Sequence, residues 1–410
     1  MKKLLALVLA LVMVMALAAC GGSNDSAASD DGLKIGMVCI GDENSGYDVA
    51  HLTGLRTAMA NLDIPAENAI YKYSIGEDEA AADACVDLAE QGCDIIFTDS
   101  YGHQTYTQQV ASEYPEIMFV AMTGDMAAGS GLANLKNAFN HTFESRYVSG
   151  VVAGMKLAEM IENDELTDAN YDADGNAKIG YVGAYPYAEV VSGYTAFYLG
   201  VRSIVPNVVM DVRYTNSWFD QIGEGAAAEA LMADGCCIIS QHADSTGAPS
   251  AVQAAQDAGS TVYCVGYNID MTSVAPTAAL TSAANDWSVY YTYALQCMLD
   301  GEDIVTDWSE GYNEGANYIF PLGESAAEGT ADKVAEVEAG LKDGSLQVFD
   351  CSTFTVDGEH PTQAYGLDTD GDFVNDEGEA IVDGVFQESV LRSAPYFALR
   401  IDGITEITTE

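Results

Sequence analysis

Residues 235–270 read GCCIISQHADSTGAPSAVQAAQDAGSTVYCVGYNID, and this stretch decides the fold. Residues 236–240 form a short apolar run without alternation, which is typical of a strand buried on both faces. The polar residues 244–246 then predict a helix start, with Pro249 in the first turn and an Asp-Ala-Gly sequence at the end. A second apolar strand follows at 261–265. Two buried strands joined by a helix predict a βαβ unit, and hence a parallel sheet with a right-handed crossover.

The same unit recurs along most of the chain. Apolar runs of strand length alternate with helical patterns, and polar loops follow the strands at their C-terminal ends. This alternation predicts an α/β protein built on parallel sheets flanked by helices. The predicted strands are residues 33–40, 70–75, 93–98, 117–122, 178–183, 208–214, 236–240, 261–265 and 279–282.

The N-terminus has the pattern of an export signal. Residues 1–19 combine two lysines with a long apolar run and small residues before a cleavage point, which predicts a signal peptide. The sequence Leu-Ala-Ala-Cys at 17–20 resembles the bacterial lipobox, in which Cys20 receives a diacylglyceryl group; an ordinary signal peptide is the alternative. Residues 20–32 then predict a flexible tether. We therefore expect an exported protein, held on the outer face of the cytoplasmic membrane by an N-terminal lipid.

Composition excludes one class of partner. The chain has 15 Lys and Arg against 63 Asp and Glu, a formal net charge of −48. Nucleic-acid binding depends on basic patches that neutralise phosphates, so no nucleic-acid partner is expected. Hydrophobic residues make up 49% of the chain, too large a share for a disordered acidic segment. The acidic excess instead indicates a solvated, soluble surface.

No pattern in the sequence indicates an enzyme. The five histidines are scattered, and HExxH, GxSxG, GxxxxGK[ST] and GxGxxG are all missing from the sequence. The eight cysteines other than Cys20 show neither a CxxC nor a Cys/His metal spacing, and most lie in apolar runs. We therefore expect buried free thiols, no catalytic residues and no cofactor.

The loops at the strand ends are rich in aromatic and polar residues. Aromatic faces can sandwich a flat ring, while carboxylates and amides read its donors and acceptors. Lys and Arg do not occur in these loops, which argues against phosphate or carboxylate ligands. Tryptophan with Asp and Asn also suits sugars, so a sugar remains an alternative to a planar ring. The predicted ligand-binding residues are Tyr47, Asp48, Tyr101, Tyr185, Trp218, His242, Asp244, Asn268, Asp270, Asn285 and Trp287.

These loops, in this order, resemble those of one family, the basic membrane protein family of ABC-transporter substrate-binding lipoproteins. The family includes purine nucleoside receptors and has the type I periplasmic-binding-protein fold. Besides the lipobox, the signals are ESRYVSGVVAGMKL (144–157), KIGYVGAYPY (178–187), YTNSWFDQ (214–221), ISQHADSTGAPSAVQAAQDAG (239–259), VYCVGYNIDM (262–271) and LTSAANDWSVYYTYAL (280–295).

The resemblance implies a ligand and a partner. A substrate-binding lipoprotein of an ABC importer captures a purine base or nucleoside between two lobes and delivers it to a permease. Tyr47 stands where the family has a stacking aromatic, and Asp48 replaces an Asn. Asn285 stands where nucleoside-binding members have a ribose-contacting Lys, and residues 241–245 resemble the branch associated with free bases. A sugar-binding or ligand-sensing lipoprotein of the same fold is the alternative.

The resemblance also implies a division into lobes. The N-terminal lobe is predicted at 33–140 plus 271–301 and the C-terminal lobe at 141–270 plus 302–360. Residues 361–410 are predicted as a C-terminal extension packed on a lobe. This extension carries oxygen ligands at the spacing of a calcium loop, although the Gly that the turn needs is replaced by Phe373, so an acidic turn is the alternative. The candidate calcium ligands are Asp368, Asp370, Asp372 and Glu379.

Overall fold

The computed structural model describes residues 32–364 and 378–407, and its main strands form two sheets. The first sheet has the order β11-β5-β4-β3-β1-β2 and all its pairs are parallel. Its strands are β1 (Ile35–Val38), β2 (Ala69–Lys72), β3 (Ile95–Thr98), β4 (Met118–Met122), β5 (Leu135–Ala138) and β11 (Asp307–Trp308).

The second sheet has the order β12-β10-β9-β8-β6-β7-β15, and β12 alone runs antiparallel to its neighbour. Its strands are β6 (Ala177–Gly183), β7 (Val208–Tyr214), β8 (Ile238–Gln241), β9 (Tyr263–Tyr267), β10 (Ala279–Asn285), β12 (Asn317–Ile319) and β15 (Ile404–Ile407). The short strands β13 (Ile381–Val382) and β14 (Val385–Phe386) form a separate antiparallel hairpin. The predicted α/β architecture, with two lobes that each contain a parallel sheet flanked by helices, is confirmed.

The helices connect these strands and begin where the sequence supplies side-chain caps. The Ser45 side chain accepts from the backbone N–H of Asp48 at the start of α1, and Asp78 and Asp220 cap α2 and α7 in the same way. None of the described helices is both long and apolar enough to cross a membrane. The helices are α1 (Gly46–Asn61), α2 (Glu79–Glu90), α3 (Gln104–Glu113), α4 (Ala127–Ser130), α5 (Thr142–Glu162), α6 (Ala188–Ile204), α7 (Gln221–Ala233), α8 (Gly247–Asp257), α9 (Ser288–Asp300) and α10 (Thr330–Lys342).

The core of the second lobe depends on the close approach of α5 and α6. A Cβ at Gly150 would lie 2.1 Å from the carbonyl oxygen of Phe197, and one at Gly200 would lie 2.2 Å from that of Tyr147. Any side chain at either position would therefore push the two helices apart. Gly150 and Gly200 therefore lie where the backbones of the two helices touch.

The crossings between lobes differ from the prediction at two points. Strand β10, expected in the N-terminal lobe, pairs in parallel with β9 in the second sheet. The connection from β9 to β10 runs over residues 268–278 and contains a single 3-10 turn, Met271–Ser273, without a crossing to the other lobe. The chain crosses after Asn285, and α9 packs on α1 of the first lobe. Strand β11, expected in the C-terminal lobe, pairs with β5 at the edge of the first sheet.

The C-terminal extension packs on the second lobe. Strand β15 pairs in parallel with β7, and Phe386 and Phe397 are buried in the core of that lobe. Of the candidate calcium ligands, Glu379 is exposed, and the three aspartates lie outside the described residues. Cys20, the signal peptide and the tether up to residue 31 also lie outside them. The eight cysteines of the described residues are buried free thiols, as expected.

Candidate functional site

A cavity lies between the two lobes where the strand order of each sheet changes direction. Strand β1 lies between β2 and β3, and β6 lies between β7 and β8, so the loops after neighbouring strands diverge at these points. Open parallel sheets bind ligands in the crevice that this divergence creates. Both lobes contribute to the wall, whose residues are Ile40, Tyr47, Ser100, Tyr101, Thr123, Glu189, Trp218, His242, Asp244 and Tyr267.

Tyr47 is the aromatic residue that the first lobe contributes to the cavity wall, and contacts on the side away from the cavity fix its position. Its hydroxyl donates to the backbone carbonyl of Asp99, and its ring meets the edge of His51 at 4.6 Å between centroids. His51 in turn stacks on Trp287 at 4.2 Å. Trp287 is 1% exposed and belongs to the core of the first lobe, not to the cavity wall. Trp287 therefore does not line the cavity but supports Tyr47 indirectly, by stacking on His51, which contacts the Tyr47 ring.

Trp218 is the aromatic wall from the second lobe. It packs nearly perpendicular to Tyr185, 5.2 Å away, and Tyr185 stacks on Tyr187 at 5.0 Å. The carbonyl of Trp218 accepts from the backbone N–H of Asp244 at 2.8 Å, which ties the loop after β7 to the loop after β8. Tyr185 lines the wider mouth of the cleft beside Trp218. Aromatic rings from opposite lobes therefore line the same cavity.

Asp244 is the carboxyl group on the cavity wall of the second lobe. Its Oδ1 accepts from Asn268 Nδ2 at 2.8 Å, and burial, with Glu224 and Glu189 nearby, raises its pKa. Asn268 lies just beyond the wall, at φ +64°, where Asn is one of the better tolerated residues. Asp270 has a different position: its carboxylate accepts from the backbone and hydroxyl of Thr272 and caps the turn after β9.

His242 lies on the wall beside the carboxylate of Glu189. Its Nε2 is 3.2 Å from Oε1 of Glu189, and burial, with Arg146 nearby, lowers its pKa to about 4. The ring is therefore neutral at physiological pH. Arg146 is fully buried, donates to the carbonyl of Gln241 at 2.6 Å and stacks its guanidinium 3.5 Å over the ring of Tyr267. It supports Tyr267 from the first turn of α5 and is not among the lining residues.

Asp48 and Asp99 form a buried carboxyl pair behind the first-lobe wall. Oδ1 of Asp48 accepts from the N–H of Gly41, and Oδ1 of Asp99 accepts from the N–H of Ile40. Burial raises both pKa values, and Asp48 raises that of Asp99 further, which is the behaviour of two carboxyls sharing a proton. Cys39 lies within 4.8 Å of them, so among the described residues this trio could offer ligand atoms to a metal ion. Asp48 also faces the mouth of the cleft.

Asn285 lies at the crossing between the lobes, away from the cavity wall. Its Oδ1 accepts from the Thr142 hydroxyl at 2.9 Å and from Asn317 Nδ2 at 2.7 Å. These bonds join the end of β10 to the start of α5 and to β12, and so stabilise the hinge. Asn285 is therefore a structural residue and not a wall residue of the described cavity.

Five wall residues were not among the predicted ligand-binding residues: Ile40, Ser100, Thr123, Glu189 and Tyr267. Thr123 directly follows β4, and its φ of +63° marks a tight turn at a strand end. Glu189 lies at the start of α6, and Tyr267 is the last residue of β9. All five lie at or beyond a strand end, so the strand-end positions themselves are the signal in the sequence.

Comparison with known proteins agrees with this geometry. The model of the ABC transporter substrate-binding protein PnrA-like family matches residues 34–164 and 172–334. The chain belongs to the PnrA-like family of ABC-transporter substrate-binding proteins. A purine-binding protein of Brucella abortus is 31% identical over 79% of this chain and 85% of its own length. A putative ABC-transporter glucose-binding protein of Haloferax volcanii is 32% identical, over 65% of this chain and 61% of its own length.

Solved structures show the same fold. An ABC-transporter solute-binding protein from Aeropyrum pernix matches with a TM-score of 0.64 at 17% identity, over 81% of this chain and 95% of its own. Members of this family are carriers that bind small molecules and work with an ABC transporter. This PnrA-like protein is therefore a binding protein and not an enzyme, as the sequence predicted.

Proposed function

We propose that this PnrA-like protein captures a purine base or nucleoside in the cleft and delivers it to its ABC permease. The observation that carries the proposal is the arrangement of Tyr47 and Trp218, which line one cavity from opposite lobes with Asp244 on the same wall. Stacking on an aromatic face stabilises a bound base by about 1–3 kcal/mol and tolerates any base. Asp244 can accept a hydrogen bond from a ring or exocyclic N–H and so determine which purine is preferred. The purine-binding relative supports the same ligand class.

The charge of the wall favours an uncharged ligand. Lys and Arg are missing from the described residues that line the cavity, whereas Glu189 and Asp244 are present. A phosphate or carboxylate would meet these acidic groups without a cationic partner. The charge of the wall therefore disfavours a nucleotide and favours an uncharged base or nucleoside.

A sugar is the second candidate, because one relative is a putative glucose-binding protein. Tryptophan faces and carboxylates also suit the apolar face and hydroxyls of a pyranose. The two candidates differ in what Asp244 must do: a purine edge presents N–H donors at fixed positions, whereas sugar hydroxyls both donate and accept.

The matched pair Asp244→Asn and Asp270→Asn tests the proposal. Asp244→Asn keeps the shape but replaces an acceptor with a donor on the wall, so it should change the order of affinities among adenine, guanine and adenosine. Asp270→Asn alters a turn cap outside the wall and should leave that order unchanged. Isothermal calorimetry on both variants measures this. An unchanged order in Asp244→Asn would remove Asp244 from recognition.

We also propose that Cys20 carries the lipid that holds the protein on the outer face of the cytoplasmic membrane. Two acyl chains give a stable anchor where one is marginal. Cys20→Ala should release the protein or leave its signal peptide uncleaved, as read by fractionation and mass spectrometry of the N-terminus. A membrane-bound variant with a processed N-terminus would exclude this anchor.

A further inference from the structure

The C-terminal segment, residues 378–407, lies beyond the family match, which ends at residue 334. It is anchored in the second lobe by the pairing of β15 with β7 and by Phe386 and Phe397 in that lobe's core. The segment is therefore a feature of this chain that the family relationship does not account for.

Between these anchors the segment reaches across to the first lobe. Nη1 of Arg392 lies 3.1 Å from Oδ2 of Asp125, and the two side chains are 11% and 4% exposed. The backbone N–H of Ser393 donates to Oδ2 of Asp307, in the edge strand β11, at 2.7 Å. Two polar contacts thus tie a second-lobe segment to two elements of the first lobe.

Arg392 is set in position by its own segment. Its Nε donates to the carbonyl of Ala394 at 3.1 Å and its Nη2 to that of Pro395 at 3.3 Å. These bonds fix the plane of the guanidinium and direct Nη1 toward Asp125. The side chain therefore needs little further ordering to make the contact between lobes, which keeps its entropic cost low.

Asp125 links this contact to the ligand cavity. Its Oδ2 also accepts from the hydroxyl of Tyr101 at 3.1 Å, and its Oδ1 accepts from Gln104 Nε2 at 3.0 Å. Tyr101 is a wall residue of the ligand cavity. Beside it lies a second cavity of about 380 Å³, which Arg392, Ala394 and Pro395 line on one side and which shares Tyr101, Thr123 and Glu189 with the first.

We propose that the C-terminal segment is a clasp between the lobes, in which Arg392 acts as a positioning residue that holds Asp125, and through it Tyr101, in the closed arrangement. Separation of the lobes breaks the Arg392–Asp125 pair and the bond from Ser393 to Asp307, which exist only when the lobes are together, so the clasp favours the closed state. Because the same residues line the adjacent cavity, the clasp also borders the space into which a bound ligand could extend beyond Tyr101.

The test compares Arg392→Ala and Asp125→Asn with Arg400→Ala in the full chain. Arg400 is the matched control, since it lies in the same segment but pairs with Glu406 within the second lobe. Small-angle X-ray scattering of the ligand-free proteins should give a larger radius of gyration for Arg392→Ala and Asp125→Asn than for wild type and the control. Arg392→Lys, which keeps the charge, should lie between.

A kinetic measurement gives the second readout and rests on the proposed function. With adenine as the probe and tryptophan fluorescence as the signal, Arg392→Ala should raise the dissociation rate roughly tenfold and change association little. The effects of Arg392→Ala and Asp125→Asn on the dissociation rate should be less than additive in the double variant, because both changes remove the Arg392–Asp125 pair, although Asp125→Asn also alters the bonds to Tyr101 and Gln104.

The two readouts separate the clasp from the ligand assignment. If adenine does not bind, the scattering comparison still decides the clasp. Equal radii of gyration for wild type and Arg392→Ala would overturn the proposal, as would additive effects of the two single variants. If Arg392→Ala does not fold, Asp125→Asn, which keeps the side-chain size, and Arg392→Lys, which keeps the charge, take its place in the comparison. Equal radii of gyration for these variants and wild type would then overturn the proposal.

Discussion

Glu388 gives the sharpest stability prediction, because it is a buried carboxyl group with little compensation. It lies in the C-terminal segment with 4% of its surface exposed. Its Oε2 accepts from the backbone N–H of Tyr396 at a long 3.4 Å, and its Oε1 has no hydrogen-bond partner in the described part of the chain. Burial raises its pKa from the ordinary 4.5 to about 7, although the nearby Ser192 hydroxyl, the backbone N–H groups of Tyr396 and Phe397, and Arg392 favour the charged form.

The direction of the pH dependence follows from whether the folded or the unfolded protein keeps the proton on Glu388. Between pH 4.5 and about 7 the folded protein keeps a proton on Glu388 that the unfolded chain has released. The free energy of unfolding therefore falls as the pH rises through this window, by about 3 kcal/mol in total from this group. Above the folded-state pKa both states are ionised, and the loss is complete.

Urea unfolding of wild type and Glu388→Gln across this window measures the effect. Glutamine keeps the shape without a titrating proton, so the variant should lose about 3 kcal/mol less than wild type as the pH rises from about 5 to about 8. The difference isolates Glu388 from the other buried carboxyls, which are common to both proteins. Glu359→Gln, at an exposed glutamate, is the control and should follow wild type. Parallel curves for wild type and Glu388→Gln would refute the reasoning.

Two further predictions concern the aromatic wall and the thiols. Trp218→Ala should weaken purine binding by about 1.5–3 kcal/mol, ten- to a hundredfold or more, because stacking and buried area are lost together. Calorimetry should show that Trp218→Phe retains most of the affinity; equal affinity in wild type and Trp218→Ala would make Trp218 a packing residue. Alkylation without reductant should label the eight buried cysteines once the protein is denatured, whereas fewer labels would reveal disulfides.

The local parts of the fold could be predicted from sequence. Each apolar run that was assigned to a strand is a strand, since buried parallel strands require such runs. Strand β5 was missed because Lys136 and Asn137 interrupt its apolar character. The structure buries Asn137 by giving its side chain bonds to Ala127 and Ala121, which no local pattern reveals.

The pairing of strands and lobes could not be predicted in the same way. The lobe that receives β10 is decided by its pairing with β9, and β11 pairs with β5 across a gap of more than a hundred and fifty residues. The contact of Ser393 with Asp307 spans 86 residues. Such long-range contacts leave no periodicity in the sequence.

The sequence predicts which loops form the cavity, but not which side chains of those loops line it. The strand-end rule brings Tyr47, Tyr101, Trp218, His242 and Asp244 to one cavity. The rule selects a loop without showing which side chain of it faces the ligand. Three other predicted residues therefore have structural positions: Trp287 behind Tyr47, Asp270 at a turn cap and Asn285 at the hinge.

The central claim is that the cleft selects a flat, uncharged purine. Isothermal calorimetry of the wild-type protein with adenine, guanine, adenosine, inosine, ribose, glucose and galactose tests it directly. We expect saturable binding of at least one purine and no measurable binding of the three sugars at the same concentrations. Binding of glucose or another sugar, with no heat from any purine, would contradict it and favour the sugar-binding alternative.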